Sequence, residues 1–258
     1  MGTTRRTFDE LVAEADTVSV DGWDFSWLDG RATEQRPSWG YHRLVADRMA
    51  GASAALDVQT GGGELLAGVP RRPPLTVATE GWPPNLAKAT RLLHPLGAVV
   101  VDAAEDAPLP FAADAFDLVV SRHPVRVDWA EIARVLAPGG TYLSQEVGPA
   151  SVFEVVEFFL GPRPEEDRAN RHPDHARRGA EAAGLEVVDL RLEHLRTEFF
   201  DVGAIVHFLR KVVWMVPGFT VEGHLDRLRA MHDHIEREGS FTATTTRFLV
   251  EARAPLAP

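Results

Sequence analysis

An apolar run passes through an acid and ends in glycines at Ala54-Ala55-Leu56-Asp57-Val58-Gln59-Thr60-Gly61-Gly62-Gly63-Glu64. Leu65-Leu66-Ala67 can open a helix directly behind it, so the stretch reads as strand, tight turn and helix. Glycine permits positive φ and close approach of a ligand to the backbone. A helix N-terminus adds unpaired N–H groups. Such a turn at the carboxyl end of a parallel strand is a site for a nucleotide-type cofactor. Gly61, Gly63 and Gly68 do not give the G-x-G-x-x-G spacing of a dinucleotide fingerprint, which disfavours a nicotinamide-dependent oxidoreductase. Asp57, at the strand end, can hold a positive amino group. Glu80 ends the next strand and can accept hydrogen bonds from both hydroxyls of a ribose. The plainer alternatives are a turn cap for Asp57 and a solvated strand end for Glu80.

The elements that must position these residues alternate along the chain. Ala54–Val58, Leu75–Thr79, Ala98–Val101, Phe116–Ser121 and Thr141–Gln145 read as strands. The helices between them carry apolar faces. One has Leu86, Ala89, Thr90 and Leu93 behind Pro83-Pro84; another runs from the cap at Asp128 through Leu136 to Pro138-Gly139-Gly140. Strands and helices in this order imply βαβ units and a parallel sheet. Thr7 and Glu10 form a capping-box pattern for a helix over Thr7–Asp16, and Tyr41–Ala50 is helical in pattern. The later elements are helices over Val152–Leu160 and Asp174–Ala183, a strand over Leu185–Leu195, a helix over Val202–Val216 that is apolar nearly all round, an amphipathic helix over Thr220–Glu238, and a last strand over Phe241–Ala252. The tail Ala254–Pro258 is expected to fray.

Three further segments belong together: Asp102-Ala103-Ala104-Glu105 through Leu109-Pro110-Phe111, then Phe116-Asp117-Leu118-Val119-Val120-Ser121-Arg122-His123, then Glu131-Ile132-Ala133-Arg134-Val135-Leu136-Ala137-Pro138-Gly139-Gly140. In this order, behind the glycine turn, the set resembles the class I S-adenosylmethionine-dependent methyltransferases, especially the small-molecule group related to ubiquinone-biosynthesis enzymes. The resemblance covers roughly residues 41–148. It implies a doubly wound, Rossmann-like α/β fold, with a mostly parallel sheet, an antiparallel last strand and a helical cap. It also implies S-adenosylmethionine as cofactor. Asp57, Thr60, Gly61 and Gly63 match the motif that wraps the methionine part and the ribose. Glu80 matches the acid on the ribose hydroxyls, with Gly81 and Trp82 flanking the adenine. Asp102, Ala104 and Glu105 match the adenine-reading loop. Ser121, Arg122 and His123 match the end of the strand beside the reactive methyl group. The sequence departs from the pattern twice. Gln59 stands where the family has glycine. Ala103 stands where it has an acid, which leaves the adenine to Asp102 or to the backbone at Ala104 and Glu105.

His123 is the candidate general base for a hydroxyl acceptor, with pocket shaping as the plainer role; His42 is a weaker candidate. His224, His232 and His234 do not share a face that could bind a metal, so no metal is expected. His207 reads as a satisfied core histidine. The aromatics Trp23, Phe25, Trp27, Trp39 and Tyr41 suggest an N-terminal lid over residues 1–50, ahead of a methyltransferase domain over 51–258. A cap insertion falls at about 201–239. The acceptor's walls are expected from this lid, from the helix after the fifth strand and from the insertion. The charge of −11 disfavours nucleic acid as a partner, and with it an RNA methyltransferase. No apolar run approaches a membrane span, and residues 1–9 lack a secretory core. The absence of cysteine excludes disulfides and thiolate sites and suits a cytoplasmic protein. The expected activity is methyl transfer to a small, partly apolar acceptor. An RNA or protein methyltransferase and a non-catalytic cofactor-binding protein of the same fold are the alternatives. The oligomeric state is open.

Overall fold

The structure is a computed structural model and describes residues 6–256; the expectation for residues 1–5 lies outside it. In chain order its elements are α1 (Phe8–Thr17), β1 (Ala32–Glu34), α2 (Tyr41–Gly51), β2 (Ala54–Asp57), α3 (Glu64–Ala67), β3 (Leu75–Glu80), α4 (Pro83–Leu93), β4 (Val99–Asp102), β5 (Phe116–Arg122), α5 (Trp129–Val135), β6 (Leu136–Val147), α6 (Phe153–Leu160), α7 (Glu165–Ala169), α8 (Pro173–Ala182), β7 (Glu186–Phe199), α9 (Val202–Lys211), α10 (Leu225–Glu238) and β8 (Phe241–Arg253). The strand order is β1-β7-β8-β6-β5-β2-β3-β4. Strands β2 to β6 pair in parallel, and β8 closes antiparallel on β6. This is the expected doubly wound, Rossmann-like fold. The chain forms β2, β3 and β4 outward in one direction, then returns to lay β5 on the other side of β2. The carboxyl ends of β2 and β5 therefore form a topological switch point, where open α/β sheets bind ligands.

The chain divides into two compact units. One comprises residues 37–149, 171–193 and 247–256. Its central strands are buried on both faces because successive side chains point to opposite sides. Ala55, Leu118, Val120 and Leu143 pack against Tyr41, Val45 and Met49 of α2 and Leu93 of α4. Leu56, Val119, Tyr142 and Val250 pack against Ile132 of α5 and Ala180 of α8. Asp117 accepts from the backbone N–H groups of Ser53 (2.8 Å) and Ala54 (3.0 Å), fixing the start of β2 beside β5. The helix expected to run through Leu136 stops at Val135. Leu136 is already the first residue of β6, opposite Phe116, so strand pairing has overridden helical periodicity. The tail is held rather than frayed as far as Pro255, since Gly139 donates to the Pro255 carbonyl (3.0 Å) and Ala254 donates to that of Gly140 (2.9 Å); residues 257–258 lie outside the described chain.

The other unit comprises residues 6–36, 150–170 and 194–246. The capping box on α1 is present, with Thr7 and Glu10 exchanging hydrogen bonds. Phe8, Leu11, Val12 and Ala15 of α1 bury against Ile205 and Leu209 of α9, together with Leu228 and Met231 of α10. The helix expected over Val202–Val216 ends at Lys211, and Val213 and Trp214 are exposed. His207 is buried, but neither ring nitrogen has a hydrogen-bond partner; Trp27 lies against the ring, and burial lowers its pKa. It is therefore not the satisfied core histidine expected from the sequence. The aromatics of the expected lid divide, with Trp23, Phe25 and Trp27 in this unit and Trp39 and Tyr41 in the other. Among the described residues, no helix is long and apolar enough to cross a membrane.

Candidate active site

The turn after β2 is built by the backbone of the neighbouring strands. Val58 N–H continues the ladder to the Val120 carbonyl (2.8 Å), and Thr60 N–H reaches the Thr79 carbonyl (2.9 Å). The chain then turns through Gly61 (φ 64°) and Gly63 (φ 84°) into α3. A Cβ on Gly63 would lie 2.9 Å from Leu93, so the approach of this turn to α4 requires glycine there. Asp57 is buried beneath the turn. Its Oδ2 accepts from the Thr60 hydroxyl (2.6 Å), while its Oδ1 has no partner. Burial raises the Asp57 pKa to about 7, against the Thr60 hydrogen bond; nearby Glu80 raises it further and Arg122 lowers it.

Glu80 faces the same turn from the end of β3. Its Oε2 accepts from Gly61 N–H (2.8 Å) and its Oε1 from Trp82 N–H (2.9 Å). Burial raises its pKa in spite of these bonds. A carboxylate oxygen has two lone pairs, so each can accept one hydrogen bond more. Asp102 is the Cα partner of Glu80 on β4, and its side chain is exposed. A Cβ on Gly81 would lie 2.7 Å from the Ala103 carbonyl, so glycine lets β3 and the loop after β4 meet at their ends. Trp82 is 43% exposed. A cleft open to solvent lies between Gln59, Ala103, Ala104, Glu105, Ser121 and Arg126.

The cleft's lower wall explains why two sequence segments occur together. Arg134 donates to the carbonyls of Phe111 (2.7 Å) and Leu109 (2.9 Å) and pairs with Glu131. Glu131 in turn accepts from Leu109 N–H (2.7 Å). The L-P-F segment is thus stitched to α5 by the acid and the arginine of the helix motif.

Gln59 (φ 58°) occupies a left-handed position, the place where the resembled methyltransferases carry glycine. Its Nε2 donates to the Arg126 carbonyl (2.7 Å), and its Oε1 accepts from Val125 N–H (2.7 Å). The side chain both lines the cleft and clamps the loop after β5.

At the end of β5, Ser121 donates to the Val58 carbonyl (2.8 Å). The buried Tyr41 hydroxyl bridges the carbonyls of Ser121 (2.6 Å) and Leu143 (3.0 Å), and its burial raises its pKa far above the usual value. Arg122 is exposed. His123 also has positive φ (55°), and its N–H donates to the Gln145 carbonyl (2.7 Å). Its Nε2 lies 3.0 Å from Gln145 Nε2, and Trp39 Nε1 donates to Gln145 Oε1 (2.8 Å). One ring nitrogen of His123, the candidate base, is therefore already in a hydrogen bond. Burial, then Arg247, Arg122 and Arg171, hold the His123 pKa well below the usual histidine value. The His42 ring lies over Gly68 at the end of α3. The structure gathers Asp57, Thr60, Gly61 and Glu80 around one turn, and Ser121, Arg122 and His123 at the end of a strand adjacent to it. Sequence reasoning missed Trp39, Thr79 and Gln145 as parts of this site. The only signal was Trp39's place among unusually dense aromatics.

Residues 56–144 match the methyltransferase domain family. That segment reads as a methyltransferase domain, of a family that implies S-adenosylmethionine. No curated protein sequence matches the chain. Among solved structures, the methyltransferase domain and its surroundings are similar to a candidate methyltransferase from Bacillus halodurans, with 18% identity, TM-score 0.56, and coverage of 82% of this chain and 98% of the other. A complex of the Haloferax volcanii Trm112 methyltransferase activator with a candidate methyltransferase gives 20% identity, TM-score 0.51, and coverage of 98% and 100%. The [4+2]-cyclase SpnF gives 19% identity, TM-score 0.51, and coverage of 84% and 81%. At these identities the likeness is one of fold.

Proposed function

We propose that the protein transfers a methyl group from S-adenosylmethionine to a small-molecule acceptor, as in the small-molecule group that its motifs resemble. The observation that carries this reading is the buried, unpartnered Oδ1 of Asp57 beneath the turn that Glu80 holds from its other side. An orphaned carboxylate oxygen is costly unless a ligand satisfies it. It suits the cationic amino group of a methionine moiety. A Cβ at Gly61 would meet nothing within 4 Å, so the space above the turn is open to a ligand. These residues fit the cofactor, which supplies a methyl group already activated on a sulfonium. Asp57 would hold its amino group, Glu80 its ribose hydroxyls, and the loop Asp102–Glu105 its adenine, with Gly81 and Trp82 alongside. Ser121 and Arg122 end the strand beside the reacting centre. The protein's part is alignment and exclusion of water, which supply most of what in-line displacement requires. The acidic charge and cysteine-free sequence support a small acceptor and a cytoplasmic setting over nucleic acid.

Calorimetric titration with S-adenosylhomocysteine and, separately, with a nicotinamide dinucleotide tests the cofactor. Binding of the first alone is expected; absence of binding at millimolar concentration overturns the reading. Screening methyl transfer from labelled cofactor over a metabolite extract then finds the acceptor.

A further inference from the structure

We infer that a one-way relay from Trp39 through Gln145 holds His123 as a neutral imidazole protonated on Nδ1, so that it serves the site as a hydrogen-bond donor rather than as a base. The methyl-transfer reading gives the residue its place beside an acceptor, but the position of the proton does not depend on that reading.

The relay runs in one direction because its first member does. An indole N–H only donates. Trp39 Nε1 lies 2.8 Å from the amide oxygen position of Gln145, which fixes the amide's orientation. The Gln145 NH2 then faces His123 Nε2 at 3.0 Å. An amide NH2 cannot accept, so His123 Nε2 must present its lone pair. In a neutral ring the single proton is then on Nδ1. Trp39 and Gln145 are both buried, so water does not compete for either bond. The backbone holds the same arrangement, since His123 N–H donates to the carbonyl of the same Gln145 and keeps the residue in its left-handed conformation.

The surrounding charges keep the ring neutral. Arg122 is the register partner of Gln145 on β5, and Arg247 is the partner of Val147 on β8. The two cations thus flank β6 at positions two residues apart, and Arg171, ahead of α8, adds a third positive field. Burial and all three arginines oppose an imidazolium.

A general base needs a lone pair directed at the substrate, and the lone pair of this ring is committed to Gln145. The ring's other polar group is an N–H. It matches an acceptor molecule that presents a carbonyl or carboxylate oxygen, and three nearby arginines favour the carboxylate. The methylated atom must then be nucleophilic without deprotonation by His123.

Nitrogen NMR of the full chain labelled with 15N-histidine tests the assignment, with His123→Asn identifying the signal. The expected result is a pyrrole-type Nδ1 and a pyridine-type Nε2, unchanged between about pH 5 and pH 8. Protonation on Nε2, or a titration midpoint inside that range, overturns it. Gln145→Glu keeps an acceptor for Trp39 but reverses the second bond, because a carboxylate can only accept from His123. The proton is expected to move to Nε2 and the histidine pKa to rise by about one unit or more. Persistence of the Nδ1 tautomer in this variant also overturns the inference. Titrating the same samples with S-adenosylhomocysteine scores the methyl-transfer reading separately.

Discussion

Gly61 donates its backbone N–H to Oε2 of Glu80 at 2.8 Å, so this carboxylate holds the turn after β2. Glu80→Ala removes the acceptor for Gly61 and Trp82 as well as the proposed ribose contact. S-Adenosylhomocysteine affinity should fall by about 10- to 100-fold, on the scale of one or two hydrogen bonds to a charged group. Calorimetry reads this directly, and unchanged affinity contradicts the ribose assignment.

The orphaned Asp57 oxygen predicts a pH dependence. Burial raises the Asp57 pKa from 3.8 to about 7, so the ligand-free protein holds this proton where the unfolded chain has lost it. Its contribution to stability is present below the unfolded value and is lost as pH rises towards about 7. A cationic amino group requires the ionised form. Cofactor affinity should therefore rise as pH increases through about 7. Asp57→Asn should flatten that profile and lower affinity at alkaline pH, as measured by titration at a series of pH values.

Gln59→Leu breaks both bonds to the loop after β5 and leaves the Val125 N–H and Arg126 carbonyl without their partner. A loss of about 1–3 kcal/mol is expected in denaturant unfolding. Gln59→Gly loses the same bonds but relieves a left-handed side-chain residue, worth roughly 1 kcal/mol, so it should be the milder change. Hydrogen exchange at the Val125 amide should speed up in both.

Arg134→Lys keeps the charge but cannot reach Glu131 and the carbonyls of Leu109 and Phe111 together, because lysine lacks the planar fork. Limited proteolysis should cut more readily between residues 103 and 111 than in the unchanged protein. Equal cleavage would show that this loop is held by other contacts.

The strands from β2 to β6 were legible because apolar runs end in glycine, acid or proline at the intervals that βαβ units require. The glycine turn and the places of Asp57 and Glu80 as the last residues of β2 and β3 were legible for the same reason, since they follow from local chain order. Leu136 was misread because its helical spacing is real but its partner, Phe116, lies on another element. β1 went unseen because Ala32–Glu34 carries no apolar alternation and is a strand only by pairing with β7. Trp39, Gln145 and His123 come from three separate segments. Their meeting is a product of the sheet, and no spacing along the chain encodes it.

Both hydrogen bonds of the Gln59 amide to the segment it holds go to main-chain atoms. Side chains at positions 125 and 126 are therefore open to drift without disturbing the clamp, whereas inserting or deleting one residue between Arg122 and Asp128 would put its two partners out of reach. In a lineage carrying glutamine here, that segment should vary in composition and stay constant in length. Replacement by glycine would be the step that first releases it to grow.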